Sequence, residues 1–471
     1  MSSPADASGP DAPAAGRATR SAVLLVAVML GTLVNLFHPH PGAVALVGVA
    51  ALGFLVRERW RMPPSIRRVT TVLGILTVVL LPLANEPFQS LSRGVAIGGM
   101  MISVIASVTL MARAALNSPK TDVVARYLLG SGLRSRYLVL SLACQLFGGL
   151  MGMAGVSMLM DMAAKGEVPV DEDRQAMVAA LMRSLAAATL WSPMFSNLTI
   201  LLALYPGLKW TLALPLCLAM AGCAIVLGTL LDLWRQRGRV YPARAPLPRG
   251  PLLRALVPMV LAMAGFLALV ITFTHTLHVP VVAGLILLIP LVVLGLHTLQ
   301  SPAPRRLAQA TERLREDYLK LPALAGEAAL FMAAGCGGTV IASVIPANWI
   351  SAIGGVLALS PFLACLALMG FILALAMMAV HPVLSVVLVG SAFPPEMVGL
   401  PPIIHMATIM VVWGLASYAT PFSMMALMAS RYFGYPITTV TLRLNRVFAP
   451  LYLTLTTLFL GSIALLQRGP T

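Results

Sequence analysis

Apolar runs long enough to cross a bilayer are the feature that most constrains this chain. A transmembrane helix needs about 20 predominantly apolar residues. We predict eleven such spans, at about 21–37, 42–56, 69–85, 93–112, 177–205, 211–233, 252–273, 280–298, 326–344, 403–431 and 447–466. Only 10% of the 471 residues are charged, against about 25% in soluble domains. The sequence therefore predicts an all-α integral membrane protein and excludes an ordinary soluble fold.

The basic residues that give a formal net charge of +16 lie in short loops between the apolar runs. Positive charge in that position marks the cytoplasmic side of a membrane protein, so we expect no nucleic-acid partner. The five cysteines are scattered through apolar segments without a CxxC pair, which predicts neither a disulfide framework nor a metal site. Residues 1–19 are rich in Ala, Pro, Ser and Gly and are predicted to form a disordered tail. The apolar run after them lacks the pattern of a cleaved signal peptide.

Two further apolar stretches do not fit a single crossing. Residues 138–163 are interrupted by FGGLMGMAGVS. Residues 357–393 are too many for one span and too few for two spans with a loop, and His381-Pro382 lies near their middle. We predict that both stretches are re-entrant hairpins, which enter the membrane and leave on the same side.

The loop charges support this topology. With a cytoplasmic N-terminus and two re-entrant hairpins, the cytoplasmic loops contain the basic segments 57–68, 113–136, 235–249, 305–320 and 431–446, and the outer loops contain little beyond Arg93 and Lys209. If either hairpin crossed the membrane once, every later loop would change side and this bias would be lost. We therefore predict a periplasmic C-terminus. The preference for arginine over lysine and the abundant alanine suggest a bacterial inner membrane.

An internal repeat divides the chain. VIASV occurs at 104–108 and 340–344, and each copy is followed by a hairpin candidate and then by a Pro-broken helix, in WSPMFSNLTILLALYPG and TPFSMMALMASRYFG. We assign scaffold helices to 20–89, repeat 1 to 90–235, linking helices with a cytoplasmic amphipathic segment to 236–324, and repeat 2 to 325–466. The hairpins are predicted on opposite sides, cytoplasmic and outer, so the repeats are predicted to be inverted. That arrangement is typical of secondary transporters.

This pattern resembles the ion transporter superfamily, in particular the divalent anion/sodium symporters. The segment ATPFSMMALMASRYFG, which ends at Gly434, is similar to the family's second unwound helix. The resemblance covers about 90–466 and implies one hairpin and one unwound helix in each repeat, together with an outward C-terminus. The family's Ser-Asn-Thr hairpin motif is absent, because this chain has Val-Ser-Met around Ser157 and Leu-Ser-Val around Ser385. Of the three residues of that motif, only the serine is matched in each hairpin of this chain.

The two Pro breaks supply the first candidates for a solute site, namely Ser192, Pro193, Ser196, Asn197, Thr420, Pro421 and Ser423. Carbonyls freed by proline can bind a cation, and the N-termini of half-helices favour an anion. The alternative is a structural kink whose backbone groups are satisfied by nearby hydroxyls. Ser157 and Ser385 are predicted to be hairpin-tip hydroxyls that face the solute, or else small residues that allow close packing.

Two ionisable residues near the hairpins complete the candidate set. Asp161 is an ion-coupling candidate because charge at membrane depth is costly and often functional; alternatively, it is a carboxylate at the cytoplasmic exit. His381 could be protonated or donate to an anion, or it could be a packed hydrogen-bonding residue. The segment Arg305–Lys320 is predicted to be an amphipathic helix on anionic lipid.

These features favour a secondary transporter that moves a small solute by alternating access, driven by a proton or sodium gradient. Few acidic residues lie at membrane depth, which favours an anion. A cation/proton antiporter of the same architecture is one alternative, and an intramembrane enzyme built on Ser157/Asp161 or Ser385/His381 is another. Walker A, GxSxG and HExxH motifs are absent, so the sequence gives no support to ATP-driven transport by this chain alone. We predict a protein without catalytic activity, cofactor or metal site. The expected partners are the solute and the lipid bilayer, and a homodimer is compatible with the sequence.

Overall fold

Helices make up nearly all of the described part of the chain. The computed structural model describes residues 12–116, 135–165, 170–205, 207–239, 249–302 and 304–468, which contain eighteen α-helices and no strand. The first nine are α1 (Ala12–Phe37), α2 (Pro41–Glu58), α3 (Pro64–Leu80), α4 (Pro87–Leu116), α5 (Arg136–Lys165), α6 (Asp171–Trp191), α7 (Ser196–Leu204), α8 (Trp210–Arg235) and α9 (Arg249–Thr276). The others are α10 (Val281–Gln300), α11 (Arg306–Lys320), α12 (Ala325–Val344), α13 (Ala347–Ala358), α14 (Pro361–Met377), α15 (Pro382–Ala392), α16 (Pro402–Ala419), α17 (Met424–Phe433) and α18 (Phe448–Gln467).

Eleven helical stretches of the described chain are long and apolar enough to cross a membrane, which confirms the predicted all-α membrane fold. They include α5, and they do not include α6, whose first turn contains three acidic residues. Helix α1 begins at Ala12, so residues 12–19 are helical although the sequence predicted a tail there; their alanines favour a helix. The remainder of the predicted tail, and the basic segments 117–134 and 240–248, lie outside the described residues.

The chain reverses direction inside α5. Gly152 has φ 57° and ψ −141°, a conformation that is open to glycine and strained for other residues. The two arms on either side of it lie against each other, because a Cβ at Gly148 would be 3.3 Å from Val156 Cγ2. In a continuous helix, residues eight apart are separated by about 12 Å. The interruption in the sequence is therefore the turn of a helical hairpin, and its return to the same side of a membrane remains a prediction.

The stretch 357–393 contains a second helical hairpin. Helix α14 ends at Met377, Ala379 adopts a left-handed conformation with φ 64°, and α15 begins at Pro382. His381 is the N-cap residue of α15, and its Nδ1 accepts a hydrogen bond from Val383 N at 3.3 Å. Proline suits the first helical position because the missing N–H has no helical partner there. The short helix α13 stands before this hairpin and overlaps the predicted boundary by two residues, 357 and 358.

The same order of elements occurs twice: a long helix (α4 and α12), a hairpin (α5 and α14–α15), a broken helix (α6–α7 and α16–α17) and a final helix (α8 and α18). The two long helices pack closely and run in opposite directions. Thr339 Oγ1 donates to Ser90 O at 2.9 Å, and a Cβ at Gly98 would lie 2.8 Å from Met332 Sδ. This antiparallel contact is the one that two inverted copies of a unit would make.

The amphipathic segment forms α11 and docks on the protein through one face. Ala310 and Asp317 are buried, and His297 Nε2 on α10 lies 3.0 Å from Asp317 Oδ2. Leu307 on the same helix is exposed. Contact of the other face with lipid remains a prediction.

Candidate functional site

The first helix break, between α6 and α7, lies against the turn of the α5 hairpin. Ser192 Oγ donates to Gly149 O at 3.0 Å and accepts from Met194 N at 3.1 Å. A Cβ at Gly152 would lie 2.9 Å from Met194 O, so only glycine lets the hairpin turn approach this closely. Pro193 lacks an N–H and cannot continue the helical ladder. The break exists where the sequence predicted it, and the Ser192 hydroxyl already has backbone partners.

The second helix break, between α16 and α17, is satisfied by its own hydroxyls. Thr420 Oγ1 donates to the carbonyl of Ala416, one turn earlier, at 2.9 Å. Ser423 Oγ accepts from Ala426 N at 2.9 Å, which is an N-cap bond, and donates to Ser417 O at 2.5 Å. Pro421 lies between these two residues, in the non-helical segment. The bonding described here also fits the alternative interpretation, a kink whose polar groups are internally paired.

The broken helices α6 and α16 cross each other in opposite directions. A Cβ at Gly414 would lie 3.2 Å from Ala186 O. Nearer the start of α6, Arg183 donates to Asn445, which in turn donates to the carbonyl of Tyr418, near the end of α16. Arg183, which precedes Ala186 on α6, is thus linked to Tyr418, which follows Gly414 on α16, so the two helices run antiparallel.

This crossing determines where the two breaks lie. Ser192 lies six residues after Ala186, and Thr420 lies six residues after Gly414, the two residues that meet at the crossing. At a rise of about 1.5 Å per residue, each break is therefore about 9 Å beyond the crossing. Because the helices are antiparallel, these displacements point in opposite directions. The structure therefore brings together the helices that contain the breaks and does not bring the breaks face to face.

Two of the predicted binding residues have buried polar atoms without a partner in the described part of the chain, namely Asn197 Nδ2 and Ser385 Oγ. Asn197 is 7% exposed in the first turn of α7, and Ser385 is fully buried in α15. Their helices belong to different repeats and touch, because a Cβ at Gly390 would lie 3.0 Å from Leu204 Cδ1. An unpaired buried amide or hydroxyl is costly unless something binds it. Ser196 starts α7, and its side chain lies outside the described residues.

The remaining candidates have other surroundings. Ser157 Oγ is 3.0 Å from the hydroxyl of Tyr432, which links the α5 hairpin to α17. Ser157 lies past the hairpin turn at Gly152, so it is not a tip residue. Asp161 pairs with Lys165 Nζ at 2.5 Å, and its side chain is 40% exposed. No group of three His, Cys, Asp or Glu side chains in the described ranges is arranged to bind a metal ion.

Arg183 is a functional candidate that the sequence prediction missed. It lies inside α6 with 2% exposure, and its Nε donates to Asn445 Oδ1 at 2.8 Å and its Nη2 to Leu444 O at 2.6 Å. Its guanidinium carbon is 4.3 Å from the centre of the Phe448 ring. No acidic side chain in the described residues forms an ion pair with it. An arginine inside the predicted span 177–205 was the available signal, because charge within a membrane helix usually has a function.

A small cavity borders Arg183 at the crossing of α6 and α16. Its walls comprise Arg183, Ala186, Ala187, Leu190, Ala224, Val411, Gly414, Leu415, Tyr418 and Tyr452. They come from α6, α16, α8 and α18, so both repeats contribute. In this conformation the cavity has room for no more than about one water molecule.

Comparison with known proteins identifies the fold. No protein-family model matches this chain, and no curated protein sequence matches it. The crystal structure of the Alcanivorax borkumensis YdaH transporter, described as having an unusual topology, superposes with a TM-score of 0.54 at 16% identity, over 83% of this chain and 97% of that one. The chain shares the fold of a membrane transporter.

Proposed function

We propose that this protein is a secondary transporter that moves a small solute across a bacterial inner membrane by alternating access. The observation that carries the proposal is the pair of broken helices, α6–α7 and α16–α17, which cross in opposite directions within two similar sets of elements. Discontinuous helices in inverted repeats are typical of secondary transporters, whose solute sites lie between the repeats. The fold shared with a solved transporter is consistent with it.

We place the solute between α7 and α15, because Asn197 Nδ2 on one helix and Ser385 Oγ on the other have no hydrogen-bond partner among the described residues. An amide N–H and a hydroxyl can both donate to an anion. The buried guanidinium of Arg183 forms no ion pair with an acidic side chain of the described residues, although Asp232 acts on it electrostatically. It bonds to the segment before α18, so we assign it no contact with the solute. Since both unpaired groups can donate, a small anion is the solute class that we propose, with coupling to a proton or sodium gradient.

A binding screen followed by transport tests this proposal. Purified protein is heated with succinate, citrate, phosphate, sulfate, sodium chloride or potassium chloride, and an anion that raises the unfolding temperature is then offered to proteoliposomes as a labelled solute. Asn197→Leu and Ser385→Ala should weaken the shift and the transport several-fold, because each removes a donor worth about 0.5–1.5 kcal/mol or more. Ser351→Ala is the matched control, since that serine is exposed on α13. Unchanged affinity in both site variants would place the solute elsewhere.

The alternatives fit the contacts less well. A cation/proton antiporter would need Asp161 at membrane depth, whereas its carboxylate is partly exposed and paired with Lys165. For an enzyme, Ser157 bonds to Tyr432 rather than to Asp161, and the Ser385 hydroxyl has no partner among the described residues. Product formation without a gradient would support catalysis.

The inverted topology has its own test. In a cysteine-free background, Glu172→Cys should react with an impermeant thiol reagent only from the cytoplasm, and Glu396→Cys only from the periplasm. Both positions have exposed side chains. Labelling of both from one side would contradict two re-entrant hairpins on opposite sides.

A further inference from the structure

Tyr205 and His405 form a buried polar pair where the two repeats meet. Tyr205 directly follows α7, and His405 lies in the first turn of α16. The Tyr205 hydroxyl and His405 Nδ1 are hydrogen-bonded, and the two rings meet edge to face with centroids 5.8 Å apart. Tyr205 is 7% exposed and His405 is fully buried. The pair therefore joins the half-helix after one break to the start of the other broken helix.

The second ring nitrogen of His405 is the unusual atom. Nε2 is buried and has no hydrogen-bond partner in the described part of the chain. Native proteins seldom leave a buried side-chain polar atom unpaired. Thr408, one turn further along α16, makes its contacts elsewhere: its hydroxyl donates to Ile404 O at 2.8 Å and lies 3.4 Å from Cys365 Sγ.

Few charged or titratable groups surround this pair. Cys365 on α14 bonds to Thr408, one turn after His405, and Glu396 in the loop after α15 acts electrostatically on Tyr205. Other elements packed against α16 contain Arg183 on α6, Cys217 on α8, Tyr452 on α18 and His381 at the N-cap of α15, and Arg183 bonds near Tyr418, toward the other end of α16. Helix α15 contributes none between Pro382 and Ala392. The exposed carboxylate of Glu396 acts electrostatically on the Tyr205 hydroxyl, so the pair lies near an acidic residue at the surface.

We propose that His405 is the proton-binding group that couples transport to a proton gradient, an inference that rests on the proposed transport function. A proton that binds Nε2 forms one N–H bond and converts the neutral imidazole into an imidazolium ion. Nδ1–H then donates to the oxygen of the Tyr205 hydroxyl, which keeps its own proton. Histidine suits this role because its charge changes within the physiological pH range.

The position of His405 links its charge to the conformation of the protein. An imidazolium ion buried without a counter-ion is strongly disfavoured. Protonation therefore favours a conformation in which the junction of α7 and α16 is open to water, and loss of the proton favours the closed junction seen here. A ligand shifts such an equilibrium only by its different affinity for the two states, and burial of His405 in one of them supplies that difference.

Nitrogen-15 NMR of histidine-labelled protein in nanodiscs tests the proton site directly. The imidazole signal that disappears in His405→Gln is followed from about pH 4 to pH 8, a window that extends below the usual range of histidine because burial disfavours the charged form. We expect it to pass between neutral and protonated forms. Tyr205→Phe should lower its proton affinity roughly tenfold, because the imidazolium loses a charge-assisted hydrogen bond. A signal that stays neutral throughout would overturn the proposal.

Proteoliposomes with a trapped pH dye test the coupling, using the anion found in the binding screen. Wild type and the control His275→Gln, which alters an exposed histidine in the last turn of α9, should acidify or alkalinise the lumen as the solute moves. His405→Gln, and His405→Asn as a second variant, should lose this pH change and retain solute exchange. Exchange without any pH change in wild type would overturn the coupling and leave the transport function intact. If wild type exchanges no solute, the proposed function fails, and the NMR titration alone decides the proton site.

Discussion

Removal of the Arg183 side chain should be among the most damaging single changes in this protein. Arg183 on α6 makes two short hydrogen bonds to the segment before α18, at 2.8 Å to Asn445 Oδ1 and 2.6 Å to Leu444 O. It also stacks on Phe448 at 4.3 Å. A third contact, to the Tyr137 hydroxyl, is 3.4 Å long and contributes little. These contacts connect the first repeat to the second.

The size of the effect follows from these contacts. Two charge-assisted hydrogen bonds at about 1.5–3 kcal/mol each and one cation–π contact at about 0.5–2 kcal/mol oppose a desolvation cost of several kcal/mol for the guanidinium. Arg183→Met would leave Asn445 Oδ1 and Leu444 O buried without their donors. We expect it to lower the free energy of unfolding by about 2–6 kcal/mol, because each of these two buried neutral acceptors costs about 1–3 kcal/mol when it is left unpaired.

A double-mutant cycle isolates the contact itself. Arg183→Met, Asn445→Leu and the double variant are unfolded in mixed micelles and followed by far-ultraviolet circular dichroism. The coupling energy should be about 1.5–3 kcal/mol, the value of one hydrogen bond to a charged group. Arg315→Met on α11 is the control, since its pair with Glu312 is exposed and worth less than about 1 kcal/mol. A coupling energy below about 0.5 kcal/mol would refute the argument that this contact joins the repeats.

Three further predictions concern other parts of the fold. Gly152→Ala should destabilise the protein by about 1–3 kcal/mol, because φ is 57° and the new Cβ would lie 2.9 Å from Met194 O, whereas Gly222→Ala, with open space around it, should be neutral or slightly stabilising by thermal unfolding. Asp161→Asn should leave solute transport within several-fold of wild type, and complete loss with normal expression would instead favour cation coupling there. Burial and the 2.5 Å hydrogen bond to Asp171 raise the pKa of Tyr435 from 10.0 to about 12. The stabilisation that the protonated phenol gives the folded protein is therefore complete below about pH 10 and is lost as the pH rises through 12. The difference in unfolding temperature between wild type and Tyr435→Phe should shrink over that interval.

Local chain features made the helix breaks and the first hairpin predictable. Pro193 and Pro421 each remove a backbone donor, and the glycines around Gly152 allow a turn that other residues resist. The second hairpin was predictable from the length of the apolar stretch 357–393, which is too long for one span, and its turn at Ala379 lies just before His381-Pro382. These signals act over a few residues, so one sequence suffices to detect them.

Partners distant in the sequence were not predictable. The acceptors of Arg183 are 261 and 262 residues away, and the phenol that meets Ser157 is 275 residues away. The sequence could nominate Ser192, Thr420 and Ser423 as polar groups at the breaks, but it could not show that nearby backbone groups already occupy their hydroxyls. Whether a hydroxyl is free depends on tertiary packing, and that is why Asn197 and Ser385 emerge as the sharper candidates.

The contact between Ala186 and Gly414 has a mechanical consequence. When Phe195 is aligned with Phe422, Gly414 falls on Ala187, so the two broken helices touch at nearly equivalent positions. Two helices that touch near one point can change their crossing angle while that contact stays in place, and their ends then move apart. The helix breaks and the Tyr205–His405 pair lie away from that pivot, where a small change of angle produces the largest displacement. A Cβ at position 414 would lie 3.2 Å from Ala186 O, so a larger side chain there would separate the two helices at their contact and hinder the change of crossing angle in both repeats.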